Sequence, residues 1–194
     1  RARVRVTLWT DGAWEQGVGS IGGVLCTPAG TFCWGQQVPD TVTQIWSAGG
    51  STHLVFRAEL FAIWVSLVTF RNLLQGTDIV IWEDNEGARH SLISGSTTDH
   101  TAGIMIHQIW TRIADLDLLP WIARVSSASN PADGPSRLDF SLAHQLNWHI
   151  IPATLPPLSD LQASCRSLAH PSRAQLKDSE RIAESHVPDR DPDN

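Results

Sequence analysis

The sequence predicts an α/β fold: a mixed five-stranded sheet, three antiparallel strands first and two parallel strands after them, flanked by helices. Three observations carry this reading. The first forty residues hold three strand-like runs joined by short turn signals, the pattern of an antiparallel meander. Beyond them, helical stretches alternate with single strands, and a strand reached through a helix pairs in parallel. Hydrophobic residues make up 42% of the 194-residue chain, an ordinary share for one domain with a real core.

Val4, Val6 and Leu8 alternate with Arg3, Arg5 and Thr7, giving a strand with one buried face that ends at "TDG", Thr10 to Gly12. "GSIGGVLCTPAGTFCWGQQV" reads as two strands around a turn at Pro28-Ala29-Gly30. A two-residue turn at Ala29-Gly30 pairs positions whose numbers sum to 59, so Cys26 and Cys33 are expected as cross-strand neighbours with free thiols. Residues 41–52, rich in Ser, Thr and Gly, read as irregular loop. A long helix is expected from about Val55 to Leu74, closed by Gln75-Gly76. "TDIVIWED" is a buried strand of β-branched residues, followed by a short helix around Asn85 to Ile93. In "STTDHTAGIMIHQIWTRIADL", Ile104, Ile106, Ile109, Trp110 and Ile113 give the next helix a broad apolar face. "LPWIARVSS" is a further strand, and "NPADGPSR" opens one more helical stretch toward Leu146.

Residues 1–151 are expected to form the domain. From Pro152 the texture shifts to Pro, Ser and mixed charge. Residues 152–194 therefore read as a partly disordered tail, with a short helix near Gln175 to Glu184. Nine tryptophans and no tyrosine are unusual; most of the tryptophans lie in strands or helices and are assigned to core packing.

Composition narrows the function. No apolar run is as long as a membrane span, and "RARVRVTLW" reads as a strand rather than a signal peptide. The expected place is intracellular, in cytoplasm or nucleus, neither secreted nor in a membrane. Cys26, Cys33 and Cys165 lack zinc-ligand spacing, and the eight histidines form no HExxH motif. The net charge of −6, with Lys177 as the single lysine, argues against a stand-alone nucleic-acid binder with a basic patch.

Four acids stand out. Glu59 lies on the apolar stripe Phe56, Leu60, Ile63, Leu67, Phe70 and Leu74 of the long helix. Glu is rarely buried without a partner; an arginine such as Arg57 could pair with it, or it could lie at the edge of the stripe. Asp11 and Asp84 close two strands, where the crevices of open α/β sheets lie. Each alone could be turn chemistry. Asp133, amid "SNPADGPSR", could be a helix N-cap or a ligand. If the four converge, their mutual repulsion calls for a proton or a cation, and oxygen-only ligation favours Mg²⁺ or Mn²⁺.

The ordered set "TDGAW" with Asp11, "RAELFAI" with Glu59, "IWEDNEGA" with Asp84 and "ASNPADGPSR" with Asp133 resembles the type 1 ribonuclease H domains, and more narrowly those attached to retroelement reverse transcriptases. The glycine-rich "GVGSIGGVL" is also similar to that family, and the resemblance covers roughly Val4 to Arg137. It implies the RNase H-like fold and a metal-dependent endonuclease that hydrolyses the RNA strand of RNA–DNA hybrids. It further implies two Mg²⁺ ions, with Mn²⁺ as substitute, held by Asp11, Glu59, Asp84 and Asp133. Asp11 would bridge both ions, and Gly12 and Asn85 would touch the nucleic acid, whose 2′-OH groups mark the RNA strand. The implied partner besides the hybrid is a reverse transcriptase domain of a parent polyprotein.

There are departures from the family pattern. No His lies between Trp121 and Asp133, Glu83 stands where a small hydroxyl residue is commoner, and a Lys-rich handle is missing. Residues 1–152 hold 13 acids against 9 arginines, a formal −4 that two divalent ions would cancel without supplying a basic grip. The competing reading is a catalytically degenerate RNase H-like scaffold or interaction domain. A transposase or integrase would carry its Glu on a late helix, and a proofreading exonuclease would show Asp-x-Glu where this chain has Asp11-Gly12-Ala13.

Overall fold

A computed structural model describes residues 2–47, 53–159 and 161. The expected helix near Gln175 to Glu184 and Cys165 lie outside the described residues, as does the end of the loop expected over 41–52. The elements are β1 (Arg5–Glu15), β2 (Val18–Thr27), β3 (Gly30–Gln37), α1 (Asp40–Ser47), α2 (Leu54–Thr69), α3 (Arg71–Leu74), β4 (Asp78–Glu83), α4 (Glu86–Ser94), α5 (His100–Asp115), β5 (Leu119–Arg124), α6 (Asp133–Ser136), α7 (Ser141–Gln145) and β6 (His149–Ile150).

The sheet is mixed, as expected, with order β5-β4-β1-β2-β3-β6. Strands β1, β2 and β3 pair antiparallel; β4 pairs parallel to β1, and β5 parallel to β4. It has six strands rather than five, because His149 and Ile150 add a two-residue parallel strand beside Phe32 and Cys33. So short a strand leaves no alternation to read. The His149 ring stacks on Phe32 with centroids 4.9 Å apart.

The core lies between the sheet and α2. Every residue of α2 from Arg57 to Val68 is buried, so the helix has no solvent face beyond its first turn. That corrects the expected apolar stripe: a helix apolar all round is buried on all sides. Trp34, Trp46 and Trp64 are fully buried there, whereas Trp121 on the edge strand β5 is 71% exposed. Residues 41–47 are helical rather than loop. Val42 and Trp46, four apart, are both fully buried, and Trp46 packs edge-on to Phe61 at 5.6 Å.

The hairpin register differs from the expected one by two positions. Thr27 pairs with Gly30 around Pro28-Ala29, so Cys33 stands opposite Val24 and Cys26 opposite Thr31. A shift of two keeps both thiols on one face of the sheet. Both are free, Cys26 exposed and Cys33 buried. The helical stretch expected from Asp133 to Leu146 is two short helices. Leu138, at a left-handed φ of 62°, ends the first, and Asp139 accepts from the Ser141 amide at 2.9 Å to start the second. Ile151, Ala153, Leu155 and Leu158 pack against the core, and Leu161 is fully buried in it. None of the helices among the described residues is long and apolar enough to cross a membrane.

Candidate active site

Strand β1 is longer than its sequence pattern suggests, and this decides where Asp11 sits. Pairing with β4 stops at Trp9 and Trp82, while pairing with β2 continues to Glu15. Asp11 therefore lies within β1, just past the end of β4, rather than at the end of its own strand. Asp84 follows the last residue of β4, as expected. The two acids meet where one strand ends and its neighbour runs on.

Glu59 is delivered by a close approach of α2 to β1. A Cβ at Gly12 would collide with the Ala58 carbonyl carbon and the Glu59 nitrogen, so a residue without a side chain is required. The Gly12 N–H donates to Glu59 Oε2 at 2.7 Å. Arg57 is committed elsewhere: its guanidinium pairs with Asp99 at 2.9 Å and donates to the Trp46 carbonyl. Of the alternatives for Glu59, pairing with Arg57 is thereby removed.

Among the described residues, Asp11, Glu59 and Asp84 converge, with one carboxylate oxygen of each within 4.8 Å of the others. They line a cleft of about 370 Å³ with Gly12, Asn85 and Asp133. Asp133 stands at the rim, outside the tight trio, and its Oδ1 accepts from Arg137 Nε at 3.0 Å. It does not cap its helix: it is the first helical residue and makes no side-chain cap bond. Asn130 organises that turn instead, accepting from the Ala132 amide at 3.1 Å and donating to the Thr10 carbonyl at 2.9 Å. Asn85 is the N-cap of α4 and accepts from the Ala88 amide at 3.0 Å.

Ser136 escaped the sequence reading, and Glu83 stood in it only as a departure from the family pattern. Ser136 is fully buried, and its hydroxyl bonds Asp11 Oδ2. Gly22 and Gly35 put it there, since a Cβ on either would strike the backbone of Pro135 or Ser136. Glu83 is fully buried under the trio. Its carboxylate accepts from the Asn85 amide at 3.2 Å and the Thr10 hydroxyl at 3.3 Å. A glutamate at the end of an apolar strand was legible; that it points inward was signalled only by the alternation Ile79, Ile81, Glu83.

This crowd of acids raises its own proton affinity. Burial, and then the charges of Asp84 and Asp133, push the Asp11 carboxyl up to about 6, with the Ser136 hydroxyl opposing. Burial holds the Glu59 carboxyl well above the usual carboxylate range, and Glu83, Asp11 and Asp84 add to it. Burial pushes Glu83 up to about 8, against the Asn85 amide and the Thr10 hydroxyl. Oxygen donors from three segments, Asp11 and Glu59 buried and Asp84 half-buried, short of positive charge, fit a hard divalent cation. Asp11, Glu59 and Asp84 would hold it, with Asp133 available at the rim.

No protein-family model and no curated protein matches the chain. Solved structures do. The RNase H1 of the halophilic archaeon Halobacterium salinarum NRC-1 is 20% identical, with a TM-score of 0.50, over 72% of this chain and 98% of that one. LC11-RNase H1, isolated from compost by a metagenomic approach, is 14% identical, with a TM-score of 0.51, over 72% and 98%. The N-terminal RNase H domain of rv2228c from Mycobacterium tuberculosis is 16% identical, with a TM-score of 0.50, over 73% and 97%. At such identities the likeness speaks for architecture, and the architecture of this chain is that of a ribonuclease H domain.

Proposed function

We propose that this chain is a metal-dependent endonuclease that hydrolyses the RNA strand of RNA–DNA hybrids, as the nuclease domain of a retroelement reverse transcriptase polyprotein. The observation that carries the nuclease reading is the convergence of Asp11, Glu59 and Asp84 from β1, α2 and the end of β4. The fold and the likeness to proteins described as RNase H1 support it. The retroelement assignment rests on the resemblance of the four sequence motifs. So does the parent polymerase as partner. The intracellular setting and the division into a domain, 1–151, and a tail, 152–194, rest on composition, and the packing of Leu155, Leu158 and Leu161 on the core carries the folded part past that boundary.

Two Mg²⁺ ions, or Mn²⁺ in their place, would activate a water and stabilise the leaving 3′ oxygen when bound. Asp11, held by Ser136, Glu59, fixed through the Gly12 amide, and Asp84 would hold the metal, with Asp133 as a further oxygen donor at the rim. Glu83 sets the base of the site by tying Thr10 of β1 to the Asn85 amide after β4. Gly12 and Asn85 on the cleft wall are the nucleic-acid contacts of this reading.

The test is cleavage of an end-labelled RNA–DNA hybrid by the full chain in Mg²⁺, with EDTA, a DNA duplex and Asp11→Asn as controls. Cleavage of the RNA strand alone, lost in EDTA and in the variant, is expected. A protein that folds and binds Mg²⁺ yet leaves the hybrid intact would return the reading to the degenerate scaffold.

A further inference from the structure

The cleft that holds the acids adjoins another, of about 440 Å³, lined by Gln16, Ser20 and Gln37 and sharing Ala13, Glu15 and Arg137 with the first. Among the described residues, Arg137 is the one basic side chain on either lining. It is the end of α6 reaching toward the end of β1. Its Nε donates to Asp133 Oδ1 at 3.0 Å and its Nη1 to Glu15 Oε1. All three side chains stand in solvent, Arg137 48%, Asp133 50% and Glu15 67% exposed. An ion pair in that setting is worth up to about fivefold in an equilibrium, so its partner is exchanged at little cost.

We propose that Arg137 grips a backbone phosphate of a nucleic-acid strand lying across the two clefts, and that Glu15 is a built-in competitor that occupies the guanidinium in the free protein. The inference rests on reading the cleft as a nucleic-acid site. The chemistry is matched: the planar fork of Arg binds a carboxylate and a phosphate through the same N–H groups. The two acids play different parts. Asp133, four residues before Arg137, tethers Nε on its own segment. Glu15, on another element, holds only Nη1, the outer end of the fork. Exchange of Glu15 for a phosphate leaves the tether in place. A chain with no lysine in its domain thereby keeps one cation at the cleft and holds its affinity below what that cation alone would give.

The experiment is a double-mutant cycle on the full chain. Glu15→Gln, Arg137→Gln and the double variant are titrated in EDTA, where no cleavage occurs. Fluorescein-labelled RNA–DNA hybrid and DNA duplex of the same length are the probes, and anisotropy gives Kd at several salt concentrations. Glu15→Gln is expected to tighten binding by up to about fivefold. Arg137→Gln should weaken it about tenfold, the scale of one charged hydrogen bond, and lower the salt slope by about 1. In the Arg137→Gln background the Glu15→Gln gain should vanish, because its beneficiary is gone. A phosphate contact ignores the sugar, so hybrid and duplex should respond alike. Arg137→Lys, which keeps the charge without the fork, should recover part of the loss. The proposal is overturned if Glu15→Gln is neutral or weakens binding. It is equally overturned if the gain survives undiminished in the double variant, which would make it general charge repulsion. Failure of the nuclease reading is separate: an intact cycle in a protein that cleaves no hybrid removes the catalysis and keeps the contact.

Discussion

Glu83→Gln should weaken a pH dependence of stability that the acid cluster imposes. Glu83 is fully buried, with its carboxyl raised from 4.5 to about 8. The folded state therefore holds this proton more tightly than the unfolded chain does. Below pH 4.5 the group is protonated in both states and has no effect. Between 4.5 and 8 folding carries one extra proton, and stability falls as pH rises, by at most about 1.4 kcal/mol per unit. The limit of that loss, reached above the folded value, is about 5 kcal/mol, a large share of a typical domain's stability. Asp11 and Glu59, also raised, act in the same direction. Glutamine keeps the shape and can still accept from the Asn85 amide and meet Thr10, while removing the ionisation. The assay is urea denaturation of both proteins in EDTA from pH 5 to pH 8. The variant should gain on the parent steadily across that window. Excess Mg²⁺, as a counter-charge, should shrink the difference. A parent whose stability is flat or rises over the window, or a variant that keeps the parent's full slope, would refute the reasoning.

Three further outcomes are expected. Gly12→Ala must move the Ala58–Glu59 backbone, so it should lose at least about 2 kcal/mol in denaturant titration and lose hybrid cleavage with it. Ser136→Ala frees Asp11 Oδ2; Mn²⁺ affinity by calorimetry should fall severalfold with a stability loss of about 1 kcal/mol, and unchanged Mn²⁺ binding would show that Ser136 does not position Asp11. Asp133→Asn gives up a half-exposed pair with Arg137 and no helix cap, so its melting curve should shift by less than about 1 kcal/mol while cleavage falls by orders of magnitude; a fully active variant would exclude Asp133 from the site.

Much of this arrangement could be read from the chain alone. The order of strands and helices follows from alternation and helical spacing, and Glu59 announces itself by standing among apolar helix positions, where an acid is costly. What was hidden has physical causes. β1 runs past "TDG" because β2 continues to pair with it, a contact no local pattern reports. α1 was hidden by the Ser, Thr and Gly content of residues 41–52, which reads as loop, and burial of Val42 and of Trp46 against Trp14 and Phe61 overrides that composition. Glu59 lies on no separate apolar stripe, since α2 is buried all round from Arg57 to Val68; its carboxylate is buried as its neighbours imply. Ser136 is placed by Gly22 and Gly35, more than a hundred residues earlier, a pairing that only the folded chain reveals.

That docking of α6 onto the glycines of β2 and β3 also fixes when the site can exist. On a ribosome, Asp11 is made early and Asp84 well after it, yet Asp11 lacks its Ser136 partner until the segment at 133–137 has emerged and found Gly22 and Gly35. Contacts this distant in sequence form late and slowly. A nascent chain therefore carries Asp11 without its hydroxyl partner, and the cleft is complete only when nearly all of the sheet is in place.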